Sequence, residues 1–433
     1  MSGIALMLLG AKGVSAAQYW IATLSGGTFD RGSAVGVDST GNVYMVGRAF
    51  TASDDYETVL VKYDGNGSVQ WQRTLGATSG DEGAGLAIDT SGNVYIAGST
   101  TSTGSWEAFV AKYNPSGTLQ WQRTLGGIDV DYGFSVALDA SANVYIAGAA
   151  ASQGAGDYDL LIAKYDSSGA IQWQRTLGGT ADDTGYGIAV GGLGGVYVAG
   201  GVASAGAGGY DAFLVKYNSS GTLQWQRVLG GANTDGAYAV AADASDNAYL
   251  LGYTNSQGSG GYDILLAKYD SSGTIQWQRS LGGASTEIGY GVTVDSSGNP
   301  YIVGYTTTQG AGSADILVAK YNSSGALQWQ RILGDSFSNS GYGIVVDSTG
   351  NMYATGRTDA SPTKVMTFKL PSDGTLTGTY GGYTYAVSTL TSATTTLTDS
   401  AAALTSATST LTDAAGTMTS AVSTLTPTLI SVV

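Results

Sequence analysis

The sequence holds no cysteine, no histidine and only 5 prolines in 433 residues, and charged side chains occupy just 12% of positions. The missing imidazole excludes His-based catalytic triads, His-ligated zinc and imidazole proton shuttles. The missing thiol excludes disulfides, thiolate nucleophiles and iron–sulfur sites. Carboxylates, Tyr, Ser, Thr, Lys and Arg remain, so glycosidase chemistry on two acids stays formally open while most enzyme classes close. A non-enzyme with no cofactor and no metal is expected. Bases are scarce as well: 18 Lys and Arg face 33 Asp and Glu, a formal charge of −15. That balance opposes the phosphate neutralisation that nucleic acid requires, so no nucleic-acid partner is expected. No apolar run approaches the roughly 20 residues of a membrane span.

What is abundant is glycine, at 67 residues, about twice the share in ordinary domains and a mark of turn-rich β structure. The excess is organised. The phrase Trp-Gln-Arg starts at Trp71, Trp121, Trp173, Trp225, Trp277 and Trp329, with a matching Trp20, at spacings of 51, 50, 52, 52, 52 and 52. Seven of the eight tryptophans hold this one repeat position, and only Trp106 lies elsewhere.

Each unit predicts four strands, A to D, separated by Gly, Asn, Asp and Ser turns. In the copy before Trp329 they are centred on Gly291 to Val294, Tyr301 to Gly304, Ile316 to Tyr321 and Ala326 to Arg331. The A–B joint, as at Asp295 to Asn299, and the C–D joint, as at Asn322 to Gly325, suit tight hairpins: Asp or Asn closes an Asx turn and Gly takes the positive φ. Four antiparallel strands repeated seven times predict an all-β, seven-bladed β-propeller of four-stranded blades, with the glycine-rich A strand innermost. One D segment is in excess, because Trp20 has its own and a degenerate copy follows at Thr375 to Tyr380. The N-terminal strand is therefore expected to complete the last blade and close the ring.

The phrase VDSSGN at Val294 to Asn299 and the phrase AKYDSSGTIQWQR at Ala267 to Arg279 resemble SBBP-type β-propeller repeats, over about residues 18–382. Blade four departs from the pattern, with Gly191-Gly192-Leu193-Gly194-Gly195 in place of the Asp-to-Asn turn. The resemblance extends to bacterial surface proteins and phage virion proteins. It implies a structural protein of the virion surface that displays the propeller as a tail fibre or receptor-binding appendage. A capsid decoration protein and a bacterial surface or filament adhesin are the alternatives. The partners implied are other virion proteins through the termini, further copies of the chain with a trimer favoured, and a cell-surface glycan.

Residues 1–17 read as an N-terminal arm, whose apolar Ile4 to Leu9 lacks the basic stretch of a secretory signal. Residues 383–433 read as a Thr/Ser/Ala/Leu tail with a period of seven, set by Leu390, Leu397, Leu404, Leu411, Met418 and Leu425. A heptad of this kind predicts a helical, oligomerising or anchoring tail. A β arrangement and a linker are the alternatives, since Thr and Ser are poor helix formers.

The B–C and D–A loops vary between blades and share one face, where binding is expected. An aromatic and an acid recur there before strand C: Tyr56 and Glu57, Trp106 and Glu107, Tyr158 and Asp159, Tyr210 and Asp211, Tyr262 and Asp263. Aromatic faces beside carboxylate acceptors suit the C–H faces and hydroxyls of sugars; packing between blades is the alternative. Acids of the D–A loops, among them Asp131, Asp183, Asp235 and Glu287, are expected to be solvated. Of the 18 bases, 13 occupy repeat positions and leave Lys12, Arg31, Arg48, Arg357 and Lys364, with no basic patch expected.

Overall fold

The computed structural model describes residues 19–25, 30–50, 56–76, 80–102, 104–154, 156–402, 404–408, 412–415, 419–422 and 426–431. The expected N-terminal arm, 1–17, lies outside them. Seven antiparallel sheets surround one axis. In blade five the strands Asp235–Ala242, Ala248–Thr254, Asp263–Tyr269 and Ile275–Gly282 pair in chain order. Blade seven takes Asn339–Val346, Asn351–Thr358 and Lys364–Pro371 from its own repeat and is completed by Trp20–Ser25, which pairs antiparallel with Lys364–Pro371. The two ends of the propeller sequence thus close the ring, as the strand count predicts.

The A strands are innermost because only small residues fit where blades converge. A Cβ on Gly187 would stand 2.8 Å from the Cα of Ala239 in the next A strand, closer than such atoms approach. Farther out, each sheet is covered on both faces by its neighbours, so the middle strands read as unbroken apolar runs. Every residue of Val144–Ala150 is buried. The core lies between blades: Leu251, Ile264 and Leu266 of blade five pack on Ile302, Leu317 and Ala319 of blade six.

The repeat-placed bases and tryptophans tie each blade to the next. Trp277 Nε1 donates to the Ser323 carbonyl at 3.1 Å, Lys268 Nζ reaches the same oxygen at 3.5 Å, and Arg279 Nε donates to the Gly325 carbonyl at 2.7 Å. All these acceptors sit in the C–D turn of blade six. Gly325, at φ +79°, lies flat on the Trp277 ring, where a Cβ would come within 2.7 Å of it. The same contacts recur where Trp121, Lys112 and Arg123 meet Ser167 and Gly169.

Blade four's irregular turn is repaired from outside. Asp246, at φ 61° in the A–B turn of blade five, turns its carboxylate into the Gly191–Gly195 loop. It accepts from Leu193 N at 2.8 Å and Gly195 N at 3.1 Å, and pairs with Lys216 Nζ at 3.2 Å. A neighbouring blade supplies the aspartate that this turn lacks.

The tail corrects the helical expectation. Gly378–Tyr380 and Tyr383–Val387 form a hairpin, and Tyr383–Val387 pairs with the D strand of blade six. Thr391–Thr394, Thr398–Ala401, Thr405–Thr408, Thr412–Ala415 and Thr419–Val422 then pair with the D strands of blades five, four, three, two and one. Thr426–Ser431 pairs with Trp20–Ser25 on blade seven. The tail is a belt that runs backwards around the rim, and each heptad is one step from blade to blade. A period of seven is common to coiled-coil helices and to a four-residue strand plus a short crossing; the β-branched threonines favour the second.

The heptad leucines face inward. Leu390, Leu397 and Leu404 are buried, at 5%, 5% and 9% exposure, within clusters of the propeller itself, while Leu411, Met418 and Leu425 lie outside the described residues. Gln278, in the phrase Trp-Gln-Arg, clamps the belt by donating to the Leu397 carbonyl at 3.1 Å and accepting from Thr395 Oγ1 at 2.6 Å. Gln330 and Gln226 donate likewise to Leu390 and Leu404. Fifth strands of this kind cover edges that would otherwise be open to pairing. Among the described residues no helix is long and apolar enough to cross a membrane.

Candidate functional site

Each A strand carries a β-bulge three residues after its first acid or amide. The register of blade four shifts between Gly185 and Gly187, and that of blade five between Ala237 and Ala239. A bulge leaves one residue unpaired and re-aims its side chain. Around the ring the bulged residues are Ser33, Ala84, Phe134, Tyr186, Tyr238, Tyr290 and Tyr342. The ring centroids of Phe134 and Tyr186, Tyr186 and Tyr238, Tyr238 and Tyr290, and Tyr290 and Tyr342 are 5.3, 5.3, 5.0 and 5.0 Å apart. Equivalent side chains of successive blades approach this closely only near the axis, so the five aromatics form an arc around it, which marks the mouth of the propeller.

Where the arc is interrupted by the small Ser33 and Ala84, charge takes over. Arg31 and Arg48 are cross-strand partners in blade one, and both reach Glu82 of blade two. Arg48 Nη1 meets Glu82 Oε2 at 2.9 Å, while Arg31 binds the other oxygen. Arg31 lies 5.1 Å over the Tyr342 ring and Arg48 4.8 Å over Tyr56, in the range of cation–π contact. Arg31, Glu82, Ala84, Ser99, Trp106, Tyr132 and Phe134 enclose a cavity of about 260 Å³, room for a sugar ring. A larger groove, of about 720 Å³, opens on the rim beside Trp277 and Arg279. Its walls are the contacts that hold blades together, so the smaller cavity at the axis is the better site.

The aromatic halves of the sequence-predicted pairs join this mouth. Trp106 and Tyr158 flank Tyr132, at 6.0 and 6.2 Å, and Tyr56 packs on Phe50 at 4.6 Å. Tyr262 packs on Tyr253 at 5.1 Å, and Tyr253 on Tyr238 at 5.4 Å. Tyr210 hydrogen-bonds to Tyr186 and Thr184. Burial and neighbouring phenols raise Tyr210, Tyr238 and Tyr290 well above the ordinary tyrosine range, which keeps them neutral donors.

The acid halves do not join it. Asp159, Asp211 and Asp263 are buried, and Glu57 and Glu107 lie against Gly76 and Gly126 of their own D strands. Asp263 caps its loop by accepting from Ser259 N at 2.9 Å. Burial, with Glu287 adding to it and Ser259 opposing, pushes its carboxyl up to about 6. Of the D–A acids, Asp131, Asp183, Asp235 and Glu287 are likewise buried rather than solvated, whereas Asp129 and Asp182 are exposed. Asp235 accepts from Gly231 N at 2.8 Å and Ser256 Oγ at 2.7 Å, and Glu287 from Gly283 N and Thr306 Oγ1, both at 2.7 Å. These carboxylates satisfy corner amides that strands leave unpaired. Among the described residues no group of three or more carboxylates is placed to hold a metal ion.

Sequence reasoning missed the arc and the arginines. The signal for the arc was the recurring aromatic in phrases such as Asp183-Thr184-Gly185-Tyr186 and Glu287-Ile288-Gly289-Tyr290. The arginines carried no signal, since only closure of the ring brings Arg31, Arg48 and Glu82 together.

The fold defines a seven-bladed β-propeller, and parts of it match known propeller repeats. Residues 70–104, 276–309 and 328–362 match the beta-propeller repeat SBBP, and residues 90–119 match a beta-propeller domain of unknown function, DUF5122. The chain is 30% identical over 142 residues to the regulatory protein FlaEY of Caulobacter vibrioides, a stretch that covers 28% of this chain and 15% of that one. It is 25% identical over 178 residues to the uncharacterized WD repeat-containing protein L264 of Acanthamoeba polyphaga mimivirus, covering 32% and 13%. The matches therefore span less than a sixth of either relative. Among solved structures, the polysaccharide lyase Uly1 superposes with a TM-score of 0.47 at 9% identity, covering 79% of this chain and 90% of that one. YCF48 bound to D1 peptide gives 0.44 at 11%, covering 82% and 98%.

Proposed function

We propose that this protein is a non-enzymatic display module whose aromatic mouth binds a cell-surface saccharide. The observation that carries the reading is the arc from Phe134 to Tyr342, joined through Tyr132 to Trp106. Sugars are recognised by stacking their C–H faces on flat rings while hydroxyls find polar partners at the edge, and the ring-sized cavity offers the Tyr132 phenol, the Arg31 guanidinium and the Glu82 carboxylate, with Arg48 held on the other oxygen of Glu82. Glycosidase chemistry needs two carboxyls roughly 5–10 Å apart in the cleft, whereas among the described residues Glu82 is the one carboxylate lining this cavity. The resemblance to virion repeat proteins favours a place on the outside of a phage particle, as a tail appendage attached to it. The belt, which buries the described heptad leucines within one chain, leaves such attachment to other surfaces.

The test is binding of the full chain to an array of immobilised neutral and acidic saccharides, repeated with Trp106→Ala and Tyr132→Ala. Binding that falls at least about tenfold in both variants supports the reading. No binding to any saccharide, or binding indifferent to both changes, contradicts it. Immunogold labelling of purified phage particles and of uninfected cells separates the tail appendage from a capsid decoration protein and from a bacterial adhesin.

A further inference from the structure

Building on the saccharide reading of the mouth, we infer that its arginine pair selects a sugar bearing one carboxylate over the neutral sugar of the same shape. Repeat positions account for 13 of the 18 bases. Of the five outside them, Arg31 lines this cavity and Arg48 pairs with the cavity's Glu82. Among the described residues their guanidiniums share one ion-paired carboxylate, Glu82, so two cations meet one anion in a chain of net charge −15. The nearby outlier Arg357 is matched by Asp359 at 3.3 Å and adds none.

Each guanidinium carries five N–H donors. Among the described residues Arg31 and Arg48 each spend one hydrogen bond, both on Glu82. Their side chains are 26% and 22% exposed, with Arg31 on the cavity wall, and both are partly removed from water, where a charge pair is worth more than on an open surface. The Tyr342 and Tyr56 rings hold their flat faces, which leaves the edges for bidentate recognition of a planar carboxylate. Across the cavity Trp106, Tyr132 and Phe134 offer the stacking wall. One end of the site thus fits a sugar ring and the other fits its acid group. The overall negative field repels polyanions, so the ligand is a saccharide with one carboxylate at the bound unit rather than a densely charged polymer.

The experiment compares two disaccharides of the same outline, cellobiose and its uronic counterpart glucuronosyl-β1,4-glucose, by calorimetry and saturation-transfer NMR on the full chain. The uronic probe is expected to bind about tenfold tighter at low salt, as a charge-assisted hydrogen bond to arginine implies. Arg48→Gln should erase that preference, and Glu82→Gln, which frees both arginines, should increase it; unchanged thermal melting shows that each variant is folded. Equal binding of the two probes, or a preference untouched by both variants, overturns the inference and leaves the saccharide reading standing. If neither probe binds while another saccharide is retained at the mouth without regard to its acid group, the inference also fails. If no saccharide binds at all, the saccharide reading fails and takes the inference with it.

Discussion

Trp20 Nε1 donates to the Gly65 carbonyl at 3.2 Å, the same bond that Trp277 makes to Ser323 at 3.1 Å, although Trp20 opens the propeller sequence and serves its last blade. Lys369 of blade seven reaches the same Gly65 oxygen at 3.4 Å. The seam is therefore sealed by the ordinary blade-to-blade contact, assembled from the two ends of the chain. Trp20 is fully buried, whereas Trp277 is partly exposed. Trp20→Ala should cost about 4 kcal/mol through the cavity it leaves, and Trp277→Phe about 1 kcal/mol for one lost hydrogen bond. Denaturant titration of both variants checks the order; equal losses would count against a buried seam.

Asp246 is expected to be worth more to blade four than to its own blade. Asp246→Gly leaves the amides of Leu193 and Gly195 and the ammonium of Lys216 without this partner, at a cost of about 3 kcal/mol. Gly191→Asp alone should also destabilise, because its Cβ would stand 2.1 Å from Asp246 Oδ1. The double variant restores an aspartate within the blade-four turn and should regain most of the loss. A double-mutant cycle in urea measures the coupling, and strict additivity would refute the exchange of roles.

Stability should respond to pH in two opposed ways. Asp263 has its carboxyl raised to about 6 in the folded chain, so its contribution is fully present below the ordinary carboxylate range and is lost as pH rises through 6. Turn acids such as Asp243 do the reverse. Despite the cost of burial, hydrogen bonds from Asn247 and Ser245 hold Asp243 below its usual value, and that support is lost as pH falls through the lowered range. Asp263→Asn should accordingly flatten the fall in melting temperature between about pH 4 and 7. A profile that overlays the parent's would contradict the assignment.

Removing the belt tests what it does. A chain ending at Gly382 would lose the strands that pair with the rim of every blade, exposing edges prone to pair with other chains. Size-exclusion chromatography should show self-association absent from the full chain. Leu397→Ala, which keeps the belt strands, should cost only about 2 kcal/mol and stay monodisperse in the same measurement.

Most of the propeller was legible because its signals are local and copied. Turn glycines, strand runs and the Trp-Gln-Arg phrase recur in register, and the surplus D segment even disclosed the closure by Trp20. The tail was misread because a period of seven does not reveal whether it counts helical turns or blades, and the ring that sets its step is remote in sequence. The recurring aromatics at Tyr56, Trp106, Tyr158, Tyr210 and Tyr262 were readable as a repeat position, and of these Trp106 lines the cavity. Their acidic neighbours misled because the corner amides that claim Asp263 and Glu287 appear only once loops fold back. Arg31 and Glu82 lie 51 residues apart and meet only across a blade boundary.

Trp106 offers the most direct measurement, being the one tryptophan outside the repeat position. The full chain would be oxidised mildly with and without a saturating saccharide found by the array, and oxidation at each tryptophan read by peptide mass spectrometry. The account predicts protection confined to Trp106, with Trp71, Trp121, Trp173, Trp225, Trp277 and Trp329 unchanged. Protection at the rim tryptophans, or none at Trp106 under saturating ligand, would contradict binding at the mouth.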